Sequence, residues 1–215
     1  MRLKRPINIL SLLLLIALPI RSFAAPNSGF LDDYSDLKAD PDRSGAMIYR
    51  KSGVSLGAYN KIVISPIEIW YHPNTKYKGI SPDEMKILAD TFASILTNEL
   101  EPDYPVVGSP GKGVLIVRLA ITNLKMKKKK RGLLGYMPIG AALTAVQDMA
   151  GKRIILADAT IEAELLDGES GERLGTLVDS LSETVSKKDK PSWASLEQAL
   201  TFYAKRFRSR LDAEH

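Results

Sequence analysis

The first 24 residues set the conditions under which everything after them must fold. Arg2, Lys4 and Arg5 precede an apolar run from Ile7 to Ile20 that is broken only by Asn8, Ser11 and Pro19. Ser22-Phe23-Ala24 then places small residues where signal peptidases read them. This is the layout of an export signal cleaved after Ala24. Cleavage one residue later would leave Pro26 beside the cut, which is unfavourable. The apolar run is shorter than the ~20 residues of a spanning helix, and Pro19 ends it, so an uncleaved anchor fits less well. The chain is therefore expected in the periplasm, an oxidising compartment, yet it contains no cysteine. Disulfides, thiol chemistry, cysteine-bound zinc and iron–sulfur clusters are excluded together. A lipoprotein needs a cysteine directly after its signal, and none stands there. Core burial alone has to hold the fold.

The length of 215 residues suits one domain, at about 150 residues per domain. The 45% apolar and 26% charged composition is that of an ordinary globular protein. A net charge of +5 invites a nucleic-acid reading. Of the 30 basic side chains, however, Arg2, Lys4, Arg5 and Arg21 lie in the leader and no acid does. The remainder carries 26 basic against 25 acidic residues. No nucleic-acid partner is expected, and the local charge patterns point to membrane, cell wall or protein surfaces.

Residues 25–58 read as an extended polar segment, with anchoring contacts from Phe30, Leu31, Tyr34 and Leu37. Regular patterning begins near Tyr59, so 59–215 reads as a single α/β domain. Lys61–Tyr71 alternates as a strand, and Pro66 within it implies an edge position or a bulge. Ser81-Pro82-Asp83-Glu84 opens a helix with an N-cap, a first-turn proline and a capping-box acid, and an apolar stripe runs on to Leu100. Tyr104–Val107 is a short candidate strand. Val114–Leu124 is apolar on both faces at its start, which suggests a central strand.

Ile154–Leu166 and Arg173–Val185 read as a hairpin around Asp167–Gly171. In its first arm Thr160, Glu162 and Glu164 alternate with apolar residues, which predicts one buried and one wet face. Ser192–Leu211 is a closing helix with Trp193, Leu196, Leu200, Tyr203, Phe207 and Leu211 in one stripe. Its terminal Lys205, Arg206, Arg208 and Arg210 complement the helix dipole. The expected fold class is α+β: a mixed, mainly antiparallel sheet of about four to five strands with two helices packed on one face.

One insert, 125–151, departs from this pattern. Lys125–Arg131 holds six cations in seven positions, and the stretch after it is apolar and rich in small residues. Lys127, Lys128, Lys129, Lys130 and Arg131, with Tyr136 and Met137, form a candidate membrane or partner surface. The cations would sit on headgroups and the apolar face in the acyl boundary. The plainer reading is a solvated loop followed by a short helix that covers the sheet. A self-association patch, and hence a homo-oligomer, is a third.

Other motifs carry less. Gly108–Gly113 fails the phosphate-loop pattern in spacing and in its last residue, and a strand follows it. Asp40–Gly45 opens like a calcium loop, but Lys51 stands where a bidentate glutamate is required. Asp32, Asp33, Asp36, Asp40 and Asp42 read as a solvated acidic segment. His72, after the first strand, is the one histidine placed for catalysis, and a structural role suits it better. No carboxylate pair is singled out. No catalytic residue, metal site or cofactor is assigned.

A family resemblance lies in an ordered series of motifs. These are Gly29-Phe30-Leu31-Asp32-Asp33-Tyr34-Ser35-Asp36-Leu37, Tyr59–Ile64, Pro66–Trp70, Ile80-Ser81-Pro82 with Leu88-Ala89-Asp90, Tyr104–Val107, Pro110-Gly111, Gly113–Leu115 and Ala120–Leu124. Together they resemble the Gram-negative "domain of unknown function 3313", whose members are often labelled lipoproteins. The resemblance implies an envelope location and brings no activity, cofactor or catalytic residue. The missing cysteine departs from the lipoprotein label. The element order also resembles small periplasmic interaction modules, at the level of fold only.

Three functional readings follow. The first is a non-catalytic periplasmic interaction module in envelope assembly or maintenance, with envelope proteins or peptidoglycan as partners. The second is a peripheral protein on anionic membranes acting through 125–149. The third is a secreted hydrolase. All share the export step, so mass spectrometry of the periplasmic fraction should find a chain that begins at Ala25. An unprocessed chain retained in the cytoplasm would overturn the reading of residues 1–24.

Overall fold

Among the described residues Val114–Lys127 forms the longest strand, and it has a partner along each edge. The computed structural model describes residues 27–75, 82–127, 153–155, 159–181 and 193–215. The strands are β1 (Lys38–Ala39), β2 (Met47–Arg50), β3 (Lys61–Ile64), β4 (Glu68–Tyr71), β5 (Val114–Lys127), β6 (Arg153–Ile155), β7 (Thr160–Asp167) and β8 (Arg173–Ser180). The helices are α1 (Pro82–Leu100) and α2 (Trp193–Asp212).

Seven strands make one sheet in the order β1-β2-β8-β7-β5-β3, with β4 following β3 along the same edge of β5. The three-residue β6 pairs antiparallel with the far end of β5. Only β3 and β4 run parallel to β5, and α1 is the crossover that parallel pairing requires. The sheet is mixed and mainly antiparallel, and the class is α+β, as the sequence implies.

The strand count corrects the expected four to five. Lys38–Ala39 and Met47–Arg50 lie in the segment read as extended, and they pair through β2 onto β8. They are too short to show a period of two. Lys61–Tyr71 divides into β3 and β4 around Pro66. Ile64 faces Val117 while Glu68 faces Ala120, so four steps on the edge span three on β5. Pro66 thus sits at an edge and at an extra residue, where its missing N–H costs no ladder bond. Tyr104–Val107 forms an isolated bridge at Val106 to Ile62 rather than a strand.

Both helices cover one face. In α1, Leu88, Phe92, Leu96 and Leu100 are buried at helical spacing. In α2 the buried apolar set among the described side chains is Leu196, Ala199, Leu200, Tyr203, Ala204 and Leu211. They meet Leu115, Val117, Leu119 and Ile121 of β5 and Ile161 of β7. Each such valine, leucine, isoleucine or phenylalanine contributes about 1.5–3 kcal/mol by leaving water. Arg208 links the helices: its guanidinium donates to Glu99 O at 3.2 Å and pairs with Asp103 at 2.6 Å. It thereby serves a carbonyl that the end of α1 leaves without a helical partner.

The other face of β7 is not wet. Glu162 is 1% exposed and Glu164 4%. The N-terminal segment crosses this face with Phe30 and Leu31 packed on Ala120 and Val178. The Tyr34 hydroxyl donates to Glu162 Oε2 at 2.6 Å and accepts the N–H groups of Gly29 and Leu31. Thr122 donates to the other Glu162 oxygen at 2.7 Å. Arg118 pairs with Glu164 and lies over the Phe30 ring.

The β7–β8 loop is fastened by Asp167 and Gly168. A Cβ on Gly168 would lie 2.4 Å from Val114 O, so only glycine fits. The Ser170 N–H, the Tyr59 hydroxyl and the Ser170 hydroxyl hold the Asp167 carboxyl down to about 2, from an ordinary 3.8. Burial and the bond to Asp167 push Tyr59 up to about 12, from 10.0. The Asp167 contribution is complete above pH 3.8 and is lost as pH falls through about 2. That of Tyr59 is complete below pH 10.0 and is lost as pH rises through about 12. The urea midpoint should therefore fall across both windows. Tyr59→Phe should flatten the alkaline fall, and an unchanged alkaline slope would contradict the assignment.

Candidate functional site

On the helix face, residues of β2, β8 and β7 and of both helices line one cavity. The floor there is small or bare: Ala163 on β7, Gly175 on β8, and Ala204 facing them from α2. These three leave a cavity of about 200 Å³. Ile48, Leu165 and Leu177 line its floor, Phe92 and Leu96 of α1 its depth, and Tyr203 and Phe207 of α2 its roof. Val54 and Leu56, in the link between β2 and β3, form one wall.

The mouth differs in chemistry. Arg50, Arg206, Arg210 and Glu214 border both this cavity and the shallower depression outside it. Arg206 and Arg210 are four apart on α2 and so share one side of the helix. Both donate to the buried Asp40, at 2.6 and 2.9 Å. Burial alone would raise the Asp40 pKa. The Asp42 N–H and the two guanidiniums outweigh it and hold the carboxyl below the usual range. Arg210 lies below its ordinary value: burial, Arg206 and Arg50 push it down while Asp40 opposes them. Glu214 Oε2 accepts from Leu56 N at 2.5 Å, which closes the wall against the end of α2.

The surface expected at the basic run is only touched by the described residues. Lys127 is the last residue of β5. Lys128, Lys129, Lys130, Arg131, Tyr136 and Met137 lie outside the described residues, as does Ser81. His72 Nδ1 accepts the Asn74 N–H at 3.1 Å and closes the turn after β4. Asp33 likewise caps Ser35 at 2.8 Å. Among the described residues no group of three or more His, Asp or Glu is placed to hold a metal ion. Nor, among them, is any helix long and apolar enough to cross a membrane.

Sequence reasoning read Arg206 and Arg210 as complements of a helix dipole and missed the cavity. The signal was their i, i+4 spacing beside Tyr203 and Phe207, which puts two cations at the margin of the apolar stripe. Asp40 was read as solvated, since nothing local shows that arginines from the last helix reach it.

A family model described as "Protein of unknown function (DUF3313)" matches residues 26–207. "Uncharacterized lipoprotein YdcL" of Escherichia coli strain K12 is 28% identical over 142 residues, which are 65% of this chain and 64% of that protein. The same protein of strain O157:H7 matches equally. The chain therefore spans just under two thirds of the length of these relatives. Two structures of PelC dodecamers from Paraburkholderia phytofirmans align with TM-scores of 0.39 and 0.37, at 15% and 13% identity. The alignments cover 79% and 77% of this chain and 99% and 96% of theirs.

Replacing Asp40 tests the mouth. Asp40→Asn leaves two guanidiniums facing a neutral amide. It should lower unfolding stability in urea by about 3 kcal/mol, the lower end for losing one partner of a buried pair, because both arginines keep some access to water. A change within about 0.5 kcal/mol, as for a surface site, would show that the ion pairs do not hold the mouth.

Proposed function

We propose, from the premise that the chain belongs to the DUF3313 family, that it is an exported binding module of the cell envelope with no catalytic chemistry of its own. Its site is the cavity between α2 and the β2–β8–β7 floor. The observation that carries this reading is the polarity of that cavity: an apolar chamber with a guanidinium-lined mouth. Among the described residues that line the chamber itself there is neither histidine nor serine, and the carboxylate among them, Glu214, is engaged by Leu56 and Ser55. Such a lining selects a ligand by shape and charge and offers no activated nucleophile. The export leader and the lipoprotein name of the relatives support the envelope location.

An uncharged naphthyl probe, N-phenyl-1-naphthylamine, reports on this directly. Its fluorescence should rise on titration with the mature chain. Ala163→Phe fills the chamber from the floor and should weaken probe binding at least about tenfold, with the thermal midpoint kept or raised, because the added ring occupies empty volume. A parent chain that leaves the probe dark would overturn the reading of the cavity as a site.

A further inference from the structure

The cavity is small, and its charge lies at one end. At about 200 Å³ it exceeds the roughly 150 Å³ that holds a benzene ring. It falls short of the roughly 300 Å³ at which sites for drug-sized ligands begin. One alkyl chain fits such a volume, and a pair of chains does not. Along its length the lining passes from Phe92, Leu96 and Ile161 at depth to Arg50, Arg206 and Arg210 at the mouth.

At the mouth three guanidiniums, Arg50, Arg206 and Arg210, stand against three carboxylates, Asp40, Asp42 and Glu214, of which only Asp40 is fully buried. Two guanidiniums share Asp40, whose side chain has 0% exposure. Asp42 stands 3.6 Å from Arg210 but is 71% exposed, so water weakens its effect. Arg50 meets Glu214 at 3.9 Å, the edge of ion-pair range. The depressed basicity of Arg210 has the same origin, burial beside Arg206. The formal charges there cancel, so one added negative charge is drawn chiefly by Arg50, whose carboxylate is distant, and a second would be opposed by Asp40, Asp42 and Glu214. The guanidinium fork suits a carboxylate in shape as well as in charge.

We infer that the cavity binds a single-chain carboxylate amphiphile, its alkyl chain in the apolar chamber and its carboxylate among Arg50, Arg206 and Arg210. The inference rests on the cavity being the binding site, and it adds the class of ligand.

Competition against bound N-phenyl-1-naphthylamine tests it, with the mature chain and monomeric dodecanoate, dodecyl phosphate and dodecyltrimethylammonium. Dodecanoate should displace the probe at concentrations at least about tenfold lower than dodecyltrimethylammonium needs, the worth of one charge-assisted hydrogen bond. Arg50→Glu should weaken dodecanoate about tenfold or more relative to the probe's affinity for the same variant. Raising salt from about 0.05 to 0.5 M should weaken dodecanoate and not the probe, a readout that needs no variant. Equal displacement by the anionic and cationic amphiphiles, or a dodecanoate affinity indifferent to salt, would overturn the head-group assignment while the cavity stands. Tighter binding of dodecyl phosphate would replace the carboxylate with a phosphate head. Failure of the probe itself to bind would remove the underlying site.

Discussion

Strand β5 is hydrogen-bonded along both edges, to β7 on one side and to β3 and β4 on the other. Both of its faces are covered as well. Leu115, Val117, Leu119 and Ile121 meet the helices, while Ala120 and Thr122 meet the N-terminal segment and the buried Glu162. In a chain without disulfides, two described segments far apart in sequence are packed onto the same sheet. The segment before β3 crosses the back, and the closing helix covers the front. Strands β8, β2 and β1 extend the sheet outwards from β7, and the cavity lies between the first two of these, β7 and the helices.

The buried polar groups decide register more than they add stability. Glu162 and Glu164 would be costly on a covered face without Tyr34, Thr122 and Arg118. A shift of the N-terminal segment would take the Tyr34 hydroxyl from Glu162 Oε2, while Thr122 and Arg118 of β5 stayed with the carboxylates. Asp40 accepts two arginines of α2 whose separation is one helical turn. These pairings place Arg206 and Arg210 at the mouth of the cavity. The ionic contacts that position the closing helix therefore also determine the chemistry of the site.

Much of the fold was legible because its signals are local. The stripe of α1, the alternation along β7 and the turn chemistry at Asp167–Gly171 each depend on residues close in sequence. The central position of β5 followed from its two apolar faces, and the edge position of β4 from Pro66. The site was hardly legible. Its small residues, Ala163, Gly175 and Ala204, look unremarkable one by one, and only their meeting across the sheet leaves a volume. The basic run at Lys127–Arg131 drew attention because charge density shows in a linear chain, whereas a mouth assembled from β2 and α2 does not.

The sequence by itself determined a chain without disulfides, a family, two amphipathic helices and a mixed sheet. Periodicity, capping and composition carry these, because each depends on neighbours within a few turns. Tertiary structure decided which face of β7 is wet, and the answer was neither. It also decided where Asp40 finds its cations, 166 and 170 residues away, and where three small residues leave a chamber. Those outcomes depend on pairing across the whole chain, where the desolvation of a carboxylate is offset only by a partner that local sequence does not name.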